Sequence, residues 1–195
     1  MYHQSQFWED RYKQNQQLFD FYCQICQLEE ELKEYLIKDA KILIIGAGTS
    51  RTPFQLYDQG YKCIKCIDFS KNAVEAVQEH MKTRPEIEYE IQDVTCFKDK
   101  FKYDLILDKG CLDCVIASPQ SPLDSFMAAL EQLYEKLQDN GVIFSITFDS
   151  ERDELIEEAF PDKFTITIVE KRIEVDTQWG QNLYCFILKK LPKQP

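Results

Sequence analysis

The stretch Lys41-Ile-Leu-Ile-Ile-Gly-Ala-Gly-Thr-Ser50 decides the fold, because it predicts a strand, a sharp turn and the start of a helix in one short segment. Ile42 to Ile45 is a continuous apolar run, typical of a central strand that is buried on both faces. Gly46 and Gly48 carry no Cβ, so the backbone can turn sharply there and approach a ligand closely. The segment therefore predicts the first strand–turn–helix unit of an α/β protein.

An acid follows this turn at a spacing that indicates a cofactor site. A second predicted strand, residues 63–68, ends in Asp68, about 20 residues after Gly46. This pattern is typical of adenosine-containing cofactors, whose ribose hydroxyls donate to the acid. Arg51 stands where the dinucleotide fingerprint has its third glycine, and the phosphate-binding loop Gly-x-x-x-x-Gly-Lys-Ser/Thr is absent. S-adenosylmethionine carries no phosphate, so it is favoured over a dinucleotide, although a Gly-x-Gly turn alone also occurs in ordinary α/β proteins.

Two further predicted strands, residues 87–93 and 103–108, also end in acids, Asp93 and Asp108, and Lys109 follows the second. The carboxyl ends of parallel strands meet at one edge of a sheet, and ligands bind outside that edge. A single acid at a strand end is more often a helix cap. Acids at the ends of successive strands favour a ligand site.

The composition, 195 residues with 44% hydrophobic and 29% charged, is that of a globular single domain. No apolar run approaches the ~20 residues that span a bilayer, and the N-terminus has no apolar signal core, so we expect a cytoplasmic protein without a membrane partner. The net charge of −11 is spread along the chain, which disfavours binding to nucleic acid.

Three cysteine pairs, Cys23–Cys26, Cys63–Cys66 and Cys111–Cys114, have the Cys-x-x-Cys spacing of zinc or redox sites. The middle pair falls on a predicted strand, where residues three apart point to opposite faces and cannot bind one ion. Thiols in the cytosol are reduced. We therefore expect buried thiols that act as small hydrophobic groups, and no metal site.

Helix and strand patterns alternate along the chain. Residues 4–36 have a helical pattern in which Asp20 can start a second helix, and Asn140-Gly141 is typical of a helix stop. The other predicted helices are at 50–59, 71–83, 123–138 and 150–160, and the predicted strands are at 42–45, 63–68, 87–93, 103–108, 142–148, 165–169 and 183–188.

This order predicts an α/β, Rossmann-like fold of the class I methyltransferases: a mostly parallel seven-stranded sheet with helices on both faces and a C-terminal antiparallel hairpin. We expect one domain over residues 1–195. It would comprise an N-terminal helical lid (1–38), a cofactor-binding core (41–148) and the hairpin (163–190).

Several motifs between residues 7 and 148 occur together. They are Phe7-Trp8-Glu9-Asp10-Arg11-Tyr12, Phe19-Asp20-Phe21-Tyr22, Ile45-Gly46-Ala47-Gly48-Thr49-Ser50, Leu56-Tyr57-Asp58-Gln59-Gly60-Tyr61, Ile67-Asp68-Phe69-Ser70, Asp93-Val94 and Leu107-Asp108-Lys109-Gly110-Cys111-Leu112-Asp113. In these the chain resembles the methyltransferase-like protein-lysine methyltransferases, whose described substrates include translation elongation factor 1 alpha and citrate synthase.

The resemblance implies an aromatic lid over the methionine end of S-adenosylmethionine, made by Trp8, Tyr12 and Phe21. Gly46 and Gly48 would let the backbone pass beneath the cofactor.

The resemblance also implies how the nucleoside is held. Asp68 would bind the ribose hydroxyls, with Phe69 packed on the adenine. Asp93 and Val94 would contact the adenine edge, and Lys109 would lie beside the cofactor.

The chain departs from the family pattern at four of these positions. Ala47 replaces a cysteine, Thr49 an asparagine, Cys111 a threonine and Phe21 a tryptophan. These exchanges are compatible with cofactor binding. They weaken the inference of this chain's substrate from the substrates of the family.

Methylation of a lysine needs a neutral amine, since an ammonium group with a pKa near 10.4 has no lone pair to attack with. A carboxylate can accept the proton or orient the amine. Asp108, at the end of the fourth strand, is our first candidate and Asp113 the second, although either could be a helix cap. His3 and His80 lie away from the strand ends.

The expected activity is transfer of a methyl group to a lysine of a protein substrate, with elongation factor 1 alpha as a candidate partner. Alternatives are a small-molecule methyltransferase, a noncatalytic scaffold subunit and, least favoured, an NAD-dependent oxidoreductase. The acceptor would be selected by loops at residues 117–121 and 176–182. The sequence does not predict an oligomeric state.

Overall fold

The computed structural model describes residues 4–117, 121–173 and 181–192. Residues 118–120 and 174–180 lie outside these ranges, and they include most of the two loops expected to select the acceptor, 117–121 and 176–182. In chain order the elements are α1 (Ser5–Gln14), a 3₁₀ helix (Ile25–Leu28), α2 (Glu29–Leu32), β1 (Ile42–Ile45), α3 (Thr52–Asp58), β2 (Ile64–Asp68), α4 (Lys71–Ala76), α5 (Gln78–Met81), β3 (Ile87–Ile91), β4 (Tyr103–Lys109), α6 (Cys111–Ile116), α7 (Pro122–Lys136), β5 (Leu137–Thr147), α8 (Arg152–Ala159), β6 (Phe164–Ile173) and β7 (Gln181–Lys190).

The strands form one seven-stranded sheet in the order β3-β2-β1-β4-β5-β7-β6. The first five strands in the chain pair in parallel, whereas β7 is antiparallel to both β5 and β6. The predicted fold, including the C-terminal hairpin, is therefore confirmed. The strand order reverses between β1 and β4, where Ile45 lies opposite Asp108.

The central strand β1 is buried on both faces, as its apolar run predicts. Successive side chains point to opposite faces, so Leu43 and Ile45 pack with α7, while Ile42 and Ile44 pack with the N-terminal helices and α3. Burial of an aliphatic side chain of this size contributes about 1.5–3 kcal/mol, so the two cores together fix the strand register.

Two predictions about helix ends are wrong. Asp20 does not start a helix: it lies between α1 and the 3₁₀ helix, because its carboxylate binds Ser50, Arg51 and Lys109 instead. The pattern over residues 15–24 is thus not helical.

Asn140-Gly141 is not a helix stop either, because α7 already ends at Lys136 and Leu137 begins β5. The ammonium group of Lys190 on β7 donates to the carbonyls of Tyr134 (2.8 Å) and Leu137 (3.0 Å), which satisfies acceptors at the helix end.

The cysteines are divided between core and surface. Cys23, Cys66 and Cys185 are buried, as expected, but Cys26, Cys63 and Cys96 are exposed. In the described part of the chain, no group of three or more His, Cys, Asp or Glu side chains could hold a metal ion. Within the same residues, every helix is too short or too polar to cross a bilayer.

Two leucines of α7 allow a matched test of the core. Leu130 is fully buried, whereas Leu123 on the same helix is 52% exposed. We expect Leu130→Ala to lower the free energy of unfolding by about 2–5 kcal/mol, because it leaves a cavity in a packed core. Leu123→Ala should change it by about 0.5 kcal/mol or less. Urea denaturation followed by circular dichroism measures both, and equal losses would contradict this assignment of the core.

Candidate active site

A cavity lies at the carboxyl ends of β1, β2 and β4, at the point where the strand order reverses. Open α/β sheets bind their ligands at this position. The predicted site residues that line the cavity are Trp8, Tyr12, Phe21, Gly46, Asp68, Phe69, Asp108 and Lys109. The sequence therefore located the cavity and eight of the 21 residues that line it, while Gly48, which was also predicted, is not among them.

The turn after β1 requires glycine at two positions. Gly46 and Gly48 both have a φ of +52°, a conformation that side chains with a Cβ rarely adopt. A Cβ on Gly46 would lie 2.6 Å from the Cβ of Cys111, and one on Gly48 would overlap the Tyr12 hydroxyl. The turn is thus enclosed between α6 and α1, and the backbone itself forms the floor of the cavity.

Asp68 ends β2 inside the protein and is only 5% exposed. Its Oδ2 accepts a hydrogen bond from the Gly48 amide and its Oδ1 accepts one from the Ser70 amide, both at 2.8 Å. Burial raises the pKa of Asp68 to about 6, and the negative charge of Glu9 acts in the same direction. Each carboxylate oxygen has a second lone pair, so two acceptor positions remain for hydroxyl groups of a ligand.

Aromatic side chains from the N-terminal segment cover the cavity. The rings of Trp8 and Tyr12 stack with centroids 5.9 Å apart, and Phe21 meets Trp8 edge to face. Trp8 and Tyr12 are buried, and Phe69 approaches from the end of β2 while remaining partly exposed. These rings give the space above the glycine turn an apolar cover.

Glu9, which the sequence did not identify as a site residue, fixes this cover to the sheet. Its carboxylate accepts hydrogen bonds from the Ser70 hydroxyl (3.0 Å), the amides of Lys71 (3.0 Å) and Asn72 (3.3 Å), and the Asn72 side chain (2.5 Å). Burial opposes ionisation, but these hydrogen bonds hold the pKa of Glu9 below its usual value. Glu9 thereby ties α1 to the turn that presents Asp68.

Asp20 makes a second connection between the N-terminal segment and the strand ends. Its carboxylate accepts from the Ser50 hydroxyl (2.5 Å) and pairs with Lys109 (2.8 Å) and Arg51 (3.2 Å). Burial alone would raise the pKa of Asp20, but Lys109 and the other donors lower it. Lys109 also donates to the carbonyl of Cys23 at 2.8 Å, so its charge is compensated within the protein.

Asp93 and Val94 do not line the cavity. The Asp93 carboxylate accepts from the amide (2.8 Å) and hydroxyl (2.7 Å) of Thr95, and Val94 is buried in the core on the α7 side of the sheet. Their contact with adenine stays a prediction.

Asp108 is fully buried, and three hydrogen bonds occupy its carboxylate. Oδ1 accepts from the amides of Cys111 (2.8 Å) and Leu112 (3.2 Å), and Oδ2 accepts from the Ser145 hydroxyl (2.6 Å). Burial raises its pKa to about 6, and the nearby Asp113 contributes. This geometry is that of a helix cap for α6, which does not favour the predicted contact between Asp108 and an acceptor.

Asp113, the second candidate, lies beyond Gly110 and outside the cavity wall. Its Oδ2 accepts from the Tyr22 hydroxyl, and its Oδ1 accepts from the Thr147 hydroxyl (2.7 Å) and from the guanidinium of Arg152. Asp113 thus connects the N-terminal segment, β5 and α8. Sequence patterns did not reveal Tyr22 or Arg152, since both are far from Asp113 in the chain.

The residues of the cavity fit S-adenosylmethionine. Asp68 offers acceptors for ribose hydroxyls, the glycine turn allows close approach, and aromatic rings supply an apolar cover. Lys109 is the one cation among the described residues that line the cavity, and Asp20 neutralises it. A pyrophosphate would therefore find no unpaired cation in this lining, whereas a ligand without phosphate needs none.

Comparisons with known proteins agree with this assignment. A family described as "Methyltransferase domain" matches residues 36–189. The eEF1A lysine and N-terminal methyltransferase of Homo sapiens is 30% identical over 144 residues, which is 72% of this chain and 20% of the relative. The EEF1A lysine methyltransferase 4 of Mus musculus is 27% identical over 124 residues, which is 62% of this chain and 49% of the relative. The chain thus spans between about a fifth and a half of the length of these relatives.

Solved structures share the fold. A SAM-dependent methyltransferase from Methanosarcina mazei has a TM-score of 0.69 at 16% identity, covering 90% of this chain and 100% of that one. The N-methyltransferase NodS from Bradyrhizobium japonicum, in complex with S-adenosyl-L-homocysteine, has a TM-score of 0.64 at 14% identity, covering 93% and 86%. The resemblance drawn from the sequence motifs is confirmed.

The role of Asp68 can be tested by a single exchange. We expect Asp68→Asn to weaken the binding of S-adenosylmethionine roughly 10- to 100-fold, because hydrogen bonds to a charged acceptor contribute about 1.5–3 kcal/mol. Isothermal titration calorimetry measures the affinity. Asp104→Asn is the matched control, since Asp104 also accepts from a backbone amide (Lys41, 2.9 Å) but at the opposite end of the sheet. Equal affinities in the Asp68 variant and the wild type would rule out the ribose contact.

The pKa of Asp68 also predicts a pH dependence of binding. The ionised carboxylate accepts from hydroxyls, and its pKa of about 6 means that it gains a proton as the pH falls from 7 to 5. Affinity for S-adenosylmethionine should therefore fall roughly tenfold over this range. Asp108 titrates in the same range, so the control is Asp68→Asn, in which the dependence should disappear. A dependence that survives in this variant would assign it to another group.

Proposed function

Because the chain belongs to the methyltransferase-domain family and its cofactor is S-adenosylmethionine, we propose that it is a protein-lysine N-methyltransferase acting on translation elongation factor 1 alpha. The bound cofactor supplies an electrophilic methyl group. The residues of the chain hold the nucleoside, exclude water and position the acceptor amine. A cytoplasmic location is part of this proposal.

The main support for the proposal is the set of known proteins whose sequences are similar to this chain. Proteins from Drosophila melanogaster, Danio rerio, Bos taurus, Mus musculus and Homo sapiens that match this chain are named for eEF1A lysine methylation. The net charge of −11 is compatible with a basic protein substrate.

The proposal assigns a role to each of the site residues, and their positions support it. Trp8, Tyr12 and Phe21 cover the cofactor, Asp68 binds its ribose, and Phe69 packs against its base. Asp113, rather than Asp108, is the acid that we assign to the acceptor amine, because it is partly exposed and Asp108 is not. Asp108 holds the start of α6 and so positions Gly110 and its neighbours.

The direct test is incubation of the purified protein with methyl-labelled S-adenosylmethionine and recombinant elongation factor 1 alpha, in parallel with a cytosolic lysate. We expect one labelled protein, and mass spectrometry of its peptides should place the label on a lysine. Asp113→Asn should lower the rate at least tenfold, because it removes the carboxylate beside the amine.

Two controls identify the acceptor group. Acetylation of the substrate lysines before the assay should abolish labelling, since an amide nitrogen is not a nucleophile. The peptide map distinguishes a side-chain amine from the N-terminal amine. Label on the N-terminus, on another side chain or only on small molecules of the lysate would contradict the proposal.

A further inference from the structure

Helix α1, which covers the cofactor cavity, is attached to the rest of the protein by a small apolar contact. Of its ten residues only Trp8 and Tyr12 are buried, and both rings line the cavity. They pack with Ala73 of α4 in a cluster that is separate from the two cores on the faces of the sheet. Elements with little buried apolar surface open at the lowest cost in free energy, so α1 is able to move while the sheet stays folded.

The segment that follows α1 is held more firmly. The Phe19 amide donates to the carbonyl of Thr49 (2.9 Å), and the Thr49 hydroxyl donates to the carbonyl of Gln17 (3.1 Å). Ile25 and Leu28, which begin and end the 3₁₀ helix, are buried in one of the two cores. The anchored part of the N-terminal segment therefore begins at Gln17.

Two exposed residues, Asn15 and Gln16, join α1 to this anchored part. Helix α1 ends at Gln14, and Asn15 has an extended conformation with a φ of −135°. The Asn15 side chain accepts from the Gln17 amide at 3.0 Å, which makes a local turn within the segment. A change of the backbone angles at Asn15 and Gln16 would move α1 away from the sheet without breaking the contacts of residues 17–28.

Glu9 supplies a polar attachment of α1 to α4. Its carboxylate accepts from the Ser70 hydroxyl and from the amides of Lys71 and Asn72, and the Asn72 side chain also donates to the Glu9 carbonyl (3.2 Å). The first amides of a helix have no acceptor within that helix, so a carboxylate placed there satisfies them. These contacts join protein to protein, and they hold α1 closed without any contribution from a ligand.

Ser70 connects Glu9 directly with Asp68. The Ser70 amide donates to Oδ1 of Asp68 (2.8 Å), and its hydroxyl donates to Glu9 (3.0 Å) while it accepts from the Ala73 amide (3.1 Å). Ser70 is fully buried, so these partners fix its orientation. The position of α1 is thus coupled to the residue that supports the acid at the end of β2.

We infer that α1 is a gate for the cofactor, that it opens at Asn15 and Gln16, and that Glu9 is the latch that sets the rate of opening. The Tyr12 hydroxyl lies against Gly48, whose amide binds Asp68, and Asp68 is only 5% exposed. A nucleoside that reaches Asp68 therefore lies under α1.

Such a ligand enters and leaves when α1 is displaced, and S-adenosylhomocysteine must leave after every methyl transfer. Glu9 is a positioning residue, since it acts through α1 and is not among the described residues that line the cavity. The inference concerns the cofactor and not the acceptor, so it is independent of the proposed substrate.

A latch differs from a contact with the ligand in its effect on the two rate constants of binding. Loss of a ligand contact raises koff alone, whereas a weaker latch speeds opening of the free and the loaded protein, so kon and koff rise together. We expect Glu9→Gln to raise both about tenfold for S-adenosylhomocysteine, because hydrogen bonds to a charged acceptor are strong and an amide replaces only part of them. The Kd should stay within about threefold of the wild type.

Stopped-flow fluorescence measures both rate constants, since Trp8 belongs to the gate and reports its position. The chain has one other tryptophan, so Trp179→Phe serves as the background in which Trp8 is the single tryptophan. Isothermal titration calorimetry gives the Kd of each variant and checks that the background binds S-adenosylhomocysteine as the wild type does.

Two further variants make the result specific to the latch. Glu75→Gln is the matched control and should change neither rate constant, because Glu75 is an exposed residue of α4 that pairs with the Lys71 side chain (3.4 Å) and not with α1. Asn72→Ala removes a partner of Glu9 and should reproduce the effect of Glu9→Gln. The double variant should be no faster than the faster single variant, because both exchanges break one set of contacts.

The outcomes distinguish a gate from a merely structural role. Unchanged rate constants in Glu9→Gln and Asn72→Ala overturn the inference, and Asn72→Ala decides alone if Glu9→Gln does not fold. A rise in koff with kon unchanged would show that Glu9 only supports the bound state, which also overturns the gate. Failure of elongation factor 1 alpha to be methylated would overturn the proposed function and leave these rate constants as they are.

Discussion

The parallel pairing of β1 with its two neighbours is the constraint on which the site depends. Ile45 lies opposite Ile67 in β2 and opposite Asp108 in β4. The carboxyl ends of the three strands therefore lie side by side at one edge of the sheet. A slip of one residue would turn every side chain to the other face, and the apolar cores on both faces oppose it. The 2.8 Å hydrogen bond from the Gly48 amide to Asp68 exists only in this register. Packing of apolar side chains thus sets the polar geometry of the cavity.

Four acids gather at this edge of the sheet, two of them fully inside the protein, and their charges are compensated in two ways. Backbone amides donate hydrogen bonds to Asp68 and Asp108. Burial nevertheless raises the pKa of both carboxyl groups to about 6. The other two acids form ion pairs: Asp20 pairs with Lys109, and Asp113 pairs with Arg152. The first arrangement gives carboxylates that respond to pH near neutrality. The second gives carboxylates paired with an adjacent cation, and both of them connect the N-terminal segment to the ends of the strands.

Much of the fold, and the position of the cavity, could be predicted because their signals are local. The apolar run of β1, the glycines after it and the acid that ends β2 are each read from a few adjacent residues. The contacts of Glu9 and Arg152 could not be predicted, since their partners are distant in sequence and follow from register and side-chain direction. Asp108 shows the same limit: its position at a strand end was right, but only the structure reveals that α6 and Ser145 occupy its carboxylate.

The family match covers residues 36–189, yet Trp8, Tyr12, Asp20 and Tyr22 all precede it. The matched part of the chain therefore supplies the sheet, the glycine turn and Asp68, while the N-terminal segment supplies the aromatic cover of the cavity. Glu9 and Asp20 fix that segment at the ends of β2 and β4 respectively, so the cover and the Tyr22 ring are positioned by the same connections. Closure of the cavity thus depends on an element outside the family match, and that element is held in place by two polar connections to the ends of the strands.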